Sequence, residues 1–340
     1  MRCPHRTPWD RGVIGASGPG GAFRSGRERA VPSWPPKGGA VARYRKPTQR
    51  SDSIQDRRGS PGRRAMGVGG GGLALVVAIL FAVFGGGGEM GDLTNVLEGL
   101  QPTQTGSVEA SPLPREADPD ADLVDFLSVV LDDNQLFWDG VFESSGLEYR
   151  YADLVLFDGF TESGCGGADE RYGPHYCPLD ENVYIELGFF RELQSRFGVS
   201  GDLAPAYVLS HEIAHHVQTV LGINGEVREQ QQADPSIAND LSIRMELQAD
   251  CFAGVWASTI YVDTTETLEG GRVLELDPGE IRDAMDAAAA VGDDRIQEAA
   301  TGRTDPESWT HGSSEQRERW FRTGYETGDP TRCDTFSGNP

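Results

Sequence analysis

The chain carries the run His211-Glu212-Ile213-Ala214-His215. In a helix, residues four apart lie on one face, so the two imidazoles can reach a single ion. Glu212 sits beside them, placed to take a proton from a water that a metal has activated, which is the mechanical sense of a His-Glu-x-x-His helix. Tyr207, Val208, Leu209, Ile213, Ala214 and Val217 make the surrounding segment apolar. Two histidines and a glutamate on a buried helix are costly unless a metal or other partners satisfy them. His216 points elsewhere and reads as a structural or surface histidine.

Two ligands do not make a catalytic zinc site, which takes a third protein ligand and keeps one position open. The candidates are Glu226, Glu229, Glu246, Asp250 and His311. Glu226 and Glu229 fall in a polar stretch and read as solvated charge. Glu246 and Asp250 are four apart within Met245-Glu-Leu-Gln-Ala-Asp-Cys-Phe-Ala-Gly254, on a helix that is otherwise apolar and small. Glu246 can then bind the metal while Asp250 accepts the other ring N–H of a ligand histidine. The plainer alternative is a surface pair on an amphipathic helix. Ala249, Ala253 and Gly254 point to close helix packing there.

These residues need elements to hold them. Leu123, Phe126, Leu127, Val130 and Leu131 recur at three- and four-residue steps and predict an amphipathic helix from about residue 122. Residues 151–157 and 182–187 read as strands, with the Cys165–Cys177 loop between them. A short helix follows from Phe189 to Phe197. Asp202 can cap the metal-bearing helix, which runs to about Leu221. Residues 226–236 read as loop, Ile237 to about Tyr261 as a long helix, and Glu280 to Ala300 as another. Ser313 and Gln316 form a capping box for a last helix reaching about Tyr325. The fold class expected is α+β: one mainly helical domain over residues 121–340 with a small sheet.

Charge divides the 340 residues sharply. Residues 1–64 hold 15 Lys and Arg against 4 Asp and Glu, while the remainder is strongly acidic and has no Lys. An acidic surface repels nucleic acid, so none is expected as a partner. The basic head is rich in Arg, Gly, Pro and Ser without apolar periodicity, and is expected to be disordered and cytoplasmic. A Gly-flanked apolar stretch over residues 67–88 follows, with Leu73–Phe84 its strongest part. With Arg57, Arg58, Arg63 and Arg64 on one side only, it is expected to be one retained transmembrane helix. A cleaved signal segment or a buried helix are the alternatives. Residues 89–120 form a linker, and the domain beyond is expected outside the cytoplasm. Cys165, Cys177, Cys251 and Cys333 then form an even set suited to two disulfides, with three connectivities open. Cys165 with Cys177 is the natural pair, and Cys251 with Cys333 would tie a helix to the C-terminal tail.

His211-Glu-x-x-His215 followed by Glu246-x-x-x-Asp250 resembles the two-helix signature of the gluzincin metallopeptidases. Asp56-Arg57-Arg58-Gly59, the Gly-rich apolar stretch, Cys177-Pro178, Glu246-Leu-Gln-Ala-Asp-Cys251 and Thr310-His-Gly-Ser-Ser-Glu-Gln-Arg317 look like the bacterial neutral zinc metallopeptidases. The likeness covers roughly residues 43–336. It implies a membrane-tethered zinc peptidase acting on peptides or proteins, with His211, His215 and Glu246 on the metal and Glu212 as general base. It also implies His311 as a stabiliser of the oxyanion, with Arg317 either facing the cleft or, like Asp250, supporting the site from the layer behind the ligands. The family usually begins near Arg43, which suggests residues 1–40 as an upstream extension. A zinc-stabilised cell-surface scaffold without activity, or a zinc amidase acting on the cell wall, are the competing readings.

Overall fold

The computed structural model describes residues 43–44, 47–58, 114–169, 173–197, 203–260, 274–275 and 278–338. Cys3, the extension 1–40, the apolar stretch 67–88 and Asp202 lie outside them. Strand β1 (Arg43–Tyr44) pairs antiparallel with β8 (Leu274–Glu275). The central sheet has the order β2 (Ile54–Asp56), β3 (Asp153–Phe157), β7 (Asn182–Glu186), β6 (His175–Cys177). Its first two pairings are parallel and the last antiparallel. Both faces of β3 and β7 are covered, as parallel strands require. Leu154, Leu156, Val183 and Ile185 face the main helical core, while Val155, Phe157 and Tyr184 pack with Ala168 and Cys177. The second face is covered by the hairpin β4 (Phe160–Ser163) and β5 (Gly166–Asp169), in a region read from sequence as loop.

Helix α1 (Ala121–Ser144) lies on the main core, and α2 (Gly188–Phe197) follows the sheet. The metal-bearing helix is α3 (Leu203–Val220), packed against α1, α5 (Ala238–Ala257) and α6 (Pro278–Ala290). Residues 226–233, expected as loop, belong to helix α4 (Ile223–Ala233). Ile223 and Val227 are four apart and bury against Leu241, an apolar pair that two glutamates and three glutamines obscure in the sequence. Gly222, with φ of 80°, turns the chain from α3 into α4. The predicted helix 280–300 is two, α6 and α7 (Asp293–Thr301), separated at Val291-Gly292. The capping box at Ser313 and Gln316 forms and starts α8 (Ser314–Thr327).

The head and linker boundaries are corrected by the sheet. Residues 47–58 join the domain: β2 pairs with β3, and the Ser51 amide donates to Ser128 Oγ at 2.6 Å. Arg58, read as a membrane flank, is buried with its guanidinium on Asp56 and Asp118, each at 2.7 Å. Arg50 reaches Asp125 at 2.9 Å, and Arg115 bonds the same carboxylate and the Pro47 carbonyl. Burial raises the Asp118 pKa, but Arg58 and the Asp120 amide outweigh it and keep the carboxyl below its usual range. Residues 47–58 are therefore part of the folded domain. The expected boundary differs from this arrangement only in having placed these residues in the head. Among the described residues no helix is long and apolar enough to cross a membrane.

Two disulfides form, Cys165–Cys177 and Cys251–Cys333. Helices α5 and α8 meet at glycines. A Cβ on Gly254 would stand 2.0 Å from the Phe321 carbonyl oxygen, and one on Gly324 would stand 1.9 Å from that of Cys251. This contact sets the distance between Asp250 and Arg317. Gly254→Ala is expected to force the helices apart at a cost of about 1–3 kcal/mol, seen as a lower midpoint in denaturant unfolding. An unchanged midpoint would mean that the contact carries no such constraint.

Candidate metal centre

Helices α3 and α5 cross so that His211, His215 and Glu246 converge, one donor atom of each lying within 4.8 Å of the others. Glu246 Oε2 is 3.1 Å from His211 Nε2, and Oε1 is 3.4 Å from His215 Nε2. The remaining ring nitrogens are held from behind. His211 Nδ1 faces Asp250 Oδ1 at 2.9 Å, and His215 Nδ1 faces Gln218 Oε1 at 2.8 Å. Both rings therefore present Nε2 to the same point. Two imidazoles and a carboxylate, oriented by outer acceptors, are a donor set that suits zinc and related divalent ions.

Asp250 is wholly buried and gathers more than one partner. Tyr207 donates to Oδ1 at 2.6 Å, and Arg317 grips both oxygens, through Nε at 2.8 Å and Nη2 at 3.0 Å. Arg317 also donates to the Val291 carbonyl at 3.2 Å. The fork of Arg317 is thus spent on Asp250, one layer behind the histidines, and not on the cleft itself. Tyr207 was not singled out by sequence, although it stands four residues before His211 on the same helix face.

His311 sits at the half-buried end of the site. Its Nδ1 lies 3.1 Å from Asp293 Oδ1, while Asp293 Oδ2 accepts from the amides of Thr310 and His311, each at 2.7 Å. Burial lowers the His311 pKa, but Asp293 and the nearby Glu246 raise it more, so it holds a proton above the usual histidine range. Asp293 is a second residue that sequence reading missed. Its only local signal is the Gly292-Asp293-Asp294 start of α7. Glu226 and Glu229 lie on α4, outside the metal-ligand cluster. His216 is buried and structural: Tyr176 Oη lies 3.0 Å from Nδ1, and Nε2 bonds the Arg150 carbonyl, tying α3 to edge strand β6.

Glu212 is buried on α3 beside the histidines, with no hydrogen bond or ion pair to its carboxylate among the described residues. Glu246 differs. Burial raises its pKa, yet His215 and His211 overcome this and hold it well below the usual carboxylate range. For His211, burial lowers the pKa, but Asp250 and Glu246 push it up to about 10. In the metal-free protein this stabilisation is complete below the unfolded value near 6.5 and is lost as pH rises through about 10. A metal must displace that proton. Zinc affinity is therefore expected to rise with pH, up to about tenfold per unit across this window. Isothermal titration in buffers of different ionisation heat would show proton release; affinity independent of pH from 7 to 9 would contradict it.

The chain is similar to the uncharacterized protein YpfJ of Escherichia coli K12, at 41% identity over 295 residues, covering 84% of this chain and 96% of the relative. It is also similar to the uncharacterized proteins Mb2605 of Mycobacterium bovis and Rv2575 of Mycobacterium tuberculosis H37Rv. Each is 50% identical over 193 residues, which is 56% of this chain and 64% of the relative. No solved structure matches. Residues 43–336 match a family whose description agrees with the donor set just described, and the chain belongs to that family, "Putative neutral zinc metallopeptidase".

Proposed function

We propose that this chain is a zinc-dependent metallopeptidase that hydrolyses peptide bonds, with Glu212 as its general base. The observation that carries the reading is a three-donor site beside a carboxylate, Glu212, that has no hydrogen bond or ion pair among the described residues. Structural zinc is usually enclosed by four protein ligands, whereas catalytic zinc has three and an open position. Among the described residues the cluster has His211, His215 and Glu246 and no fourth member. This favours an enzyme over a scaffold that keeps a metal for stability alone.

His211, His215 and Glu246 would hold the ion. When bound, zinc would supply Lewis acidity, polarising a substrate carbonyl and lowering the pKa of water. Glu212 takes the proton of the attacking water and later returns it to the leaving amine, an exchange suited to a carboxylate that nothing pairs among the described residues. His311, oriented by Asp293 and carrying a proton, donates to the developing oxyanion. Asp250, clamped by Arg317 and Tyr207, keeps His211 turned toward the metal. The test is zinc content by elemental analysis together with cleavage of casein or a peptide library by wild type and Glu212→Gln. Cell-wall fragments assayed beside peptides separate a peptidase from an amidase.

We further propose that the domain works outside the cytoplasm with residues 47–58 on the same side, since a bilayer cannot part the hydrogen-bonded strands β2 and β3, and that residues 67–88 attach it to the membrane from that side without a single crossing. The two disulfides support export, since such bonds persist in oxidising compartments. A membrane-impermeant maleimide applied to intact cells should label Asp52→Cys and Glu315→Cys alike in a Cys3→Ser background. Labelling of Glu315→Cys alone would refute the shared side; labelling of neither before permeabilisation would refute export.

A further inference from the structure

A chain of buried amides runs from His215 to the C-terminal tail. Gln218 Oε1 faces His215 Nδ1 at 2.8 Å, and Gln218 Nε2 donates to the Met245 carbonyl at 2.8 Å and to Gln248 Oε1 at 3.1 Å. Gln248 Nε2 in turn donates to the Cys333 carbonyl at 3.0 Å. Both glutamines are fully buried. An amide can face either way by itself, and a neutral imidazole can carry its proton on either nitrogen. Here the direction is forced from both ends. The Cys333 carbonyl can only accept, so Gln248 must turn its NH2 to it and its oxygen to Gln218. The Met245 carbonyl can only accept, so Gln218 turns its NH2 to Met245 and Gln248. Its oxygen is then the group left for His215, which must donate from Nδ1.

We propose that Gln218 and Gln248 are positioning residues, a relay anchored on the tail at Cys333 that fixes the proton of His215 on Nδ1. Nε2 is thereby kept unprotonated on the side of Glu246, in the form a metal needs. The anchor is firm. Cys333 is tied by its disulfide to Cys251, three residues beyond Gln248 on α5. Thr335 Oγ1 donates to the Arg244 carbonyl, and Arg244 Nη1 donates to the Thr335 carbonyl, both at 2.6 Å. Two different devices thus orient the two histidines. His211 is held by a charged carboxylate that can also stabilise an imidazolium, and His215 by a neutral acceptor whose orientation is set by two backbone carbonyls. The inference makes the last residues of the chain part of the metal site, and it rests on the metal-site reading above.

The experiment measures the zinc dissociation constant by chelator competition for wild type, Gln218→Leu, Gln248→Leu and His215→Ala. The thermal midpoint of each metal-free protein is read in parallel. Loss of an outer partner of a metal-bound histidine typically weakens binding by about 10–100-fold, and that loss is expected for Gln218→Leu. Gln248→Leu touches neither histidine and leaves the Met245 contact, so it should weaken zinc by a smaller factor, still above twofold. A merely structural amide would lower the metal-free midpoint and leave the dissociation constant within twofold of wild type, which overturns the relay. If Gln218→Leu does not fold, Gln248→Leu decides alone by the same criterion. Wild type binding zinc while His215→Ala does not keeps the metal-site reading intact whatever the glutamine variants do. Wild type binding no zinc would sink both.

Discussion

Glu212→Gln is expected to reduce kcat/KM on casein or a peptide substrate by at least about 10²-fold, and up to 10⁴-fold, the range that a positioned general base contributes. The change is nearly isosteric, and no hydrogen bond or ion pair to the Glu212 carboxylate is lost among the described residues. Neither folding nor metal content should therefore alter. His211, His215 and Glu246 remain, with Asp250 and Gln218 behind them. A glutamine side chain can still accept and donate hydrogen bonds but has no basic oxygen to take up a proton at neutral pH. Equal zinc in both proteins with loss of cleavage in the variant is the expected pair of results. A glutamine variant that cleaves as well as wild type would remove Glu212 from the mechanism.

Asp250→Ala should produce the largest loss of stability in this region. It strands the guanidinium of Arg317, the Tyr207 hydroxyl and His211 Nδ1 in a buried space at once. Removing one partner of a buried ion pair typically costs about 3–5 kcal/mol, because the other charge is left uncompensated. For a domain of this size that corresponds to a midpoint lower by roughly 6–20 °C. Zinc affinity should fall as well, by about 10–100-fold, since the outer acceptor of His211 is gone. The double change Asp250→Leu with Arg317→Met separates the two effects. With both charges removed, stability should recover much of the loss, as apolar replacements of buried pairs often do. Zinc affinity should stay low, because His211 still lacks its acceptor. Recovery of both would mean that Asp250 acts only through folding.

The pairs that obey a local rule are legible in the chain itself. His211 with His215, and Glu246 with Asp250, share helix faces because each pair is four residues apart. The Ser313 and Gln316 capping box depends on positions three apart. The even number of cysteines and the short loop between Cys165 and Cys177 favoured one pairing of three, and the structure has that one. The general α+β character came from periodicity in the same way, although the short strands β4, β5 and β6 did not, since three or four residues are too few to show a period. Composition misled where the chain is polar for other reasons. Arginines in residues 47–58 read as a solvated head, whereas Arg50 and Arg58 neutralise buried aspartates on the far side of a long sequence gap.

By itself, then, the sequence determined which helices bear donors and which faces those donors occupy, because helical geometry is set by near neighbours. Only the tertiary structure decided what stands behind them. Arg317 and Tyr207 on Asp250, Gln218 on His215, Asp293 on His311 and β2 beside β3 each follow from how elements pack or how a turn closes. Such partners leave no periodic trace in the chain, since a buried polar group needs only a nearby complement and not a fixed spacing.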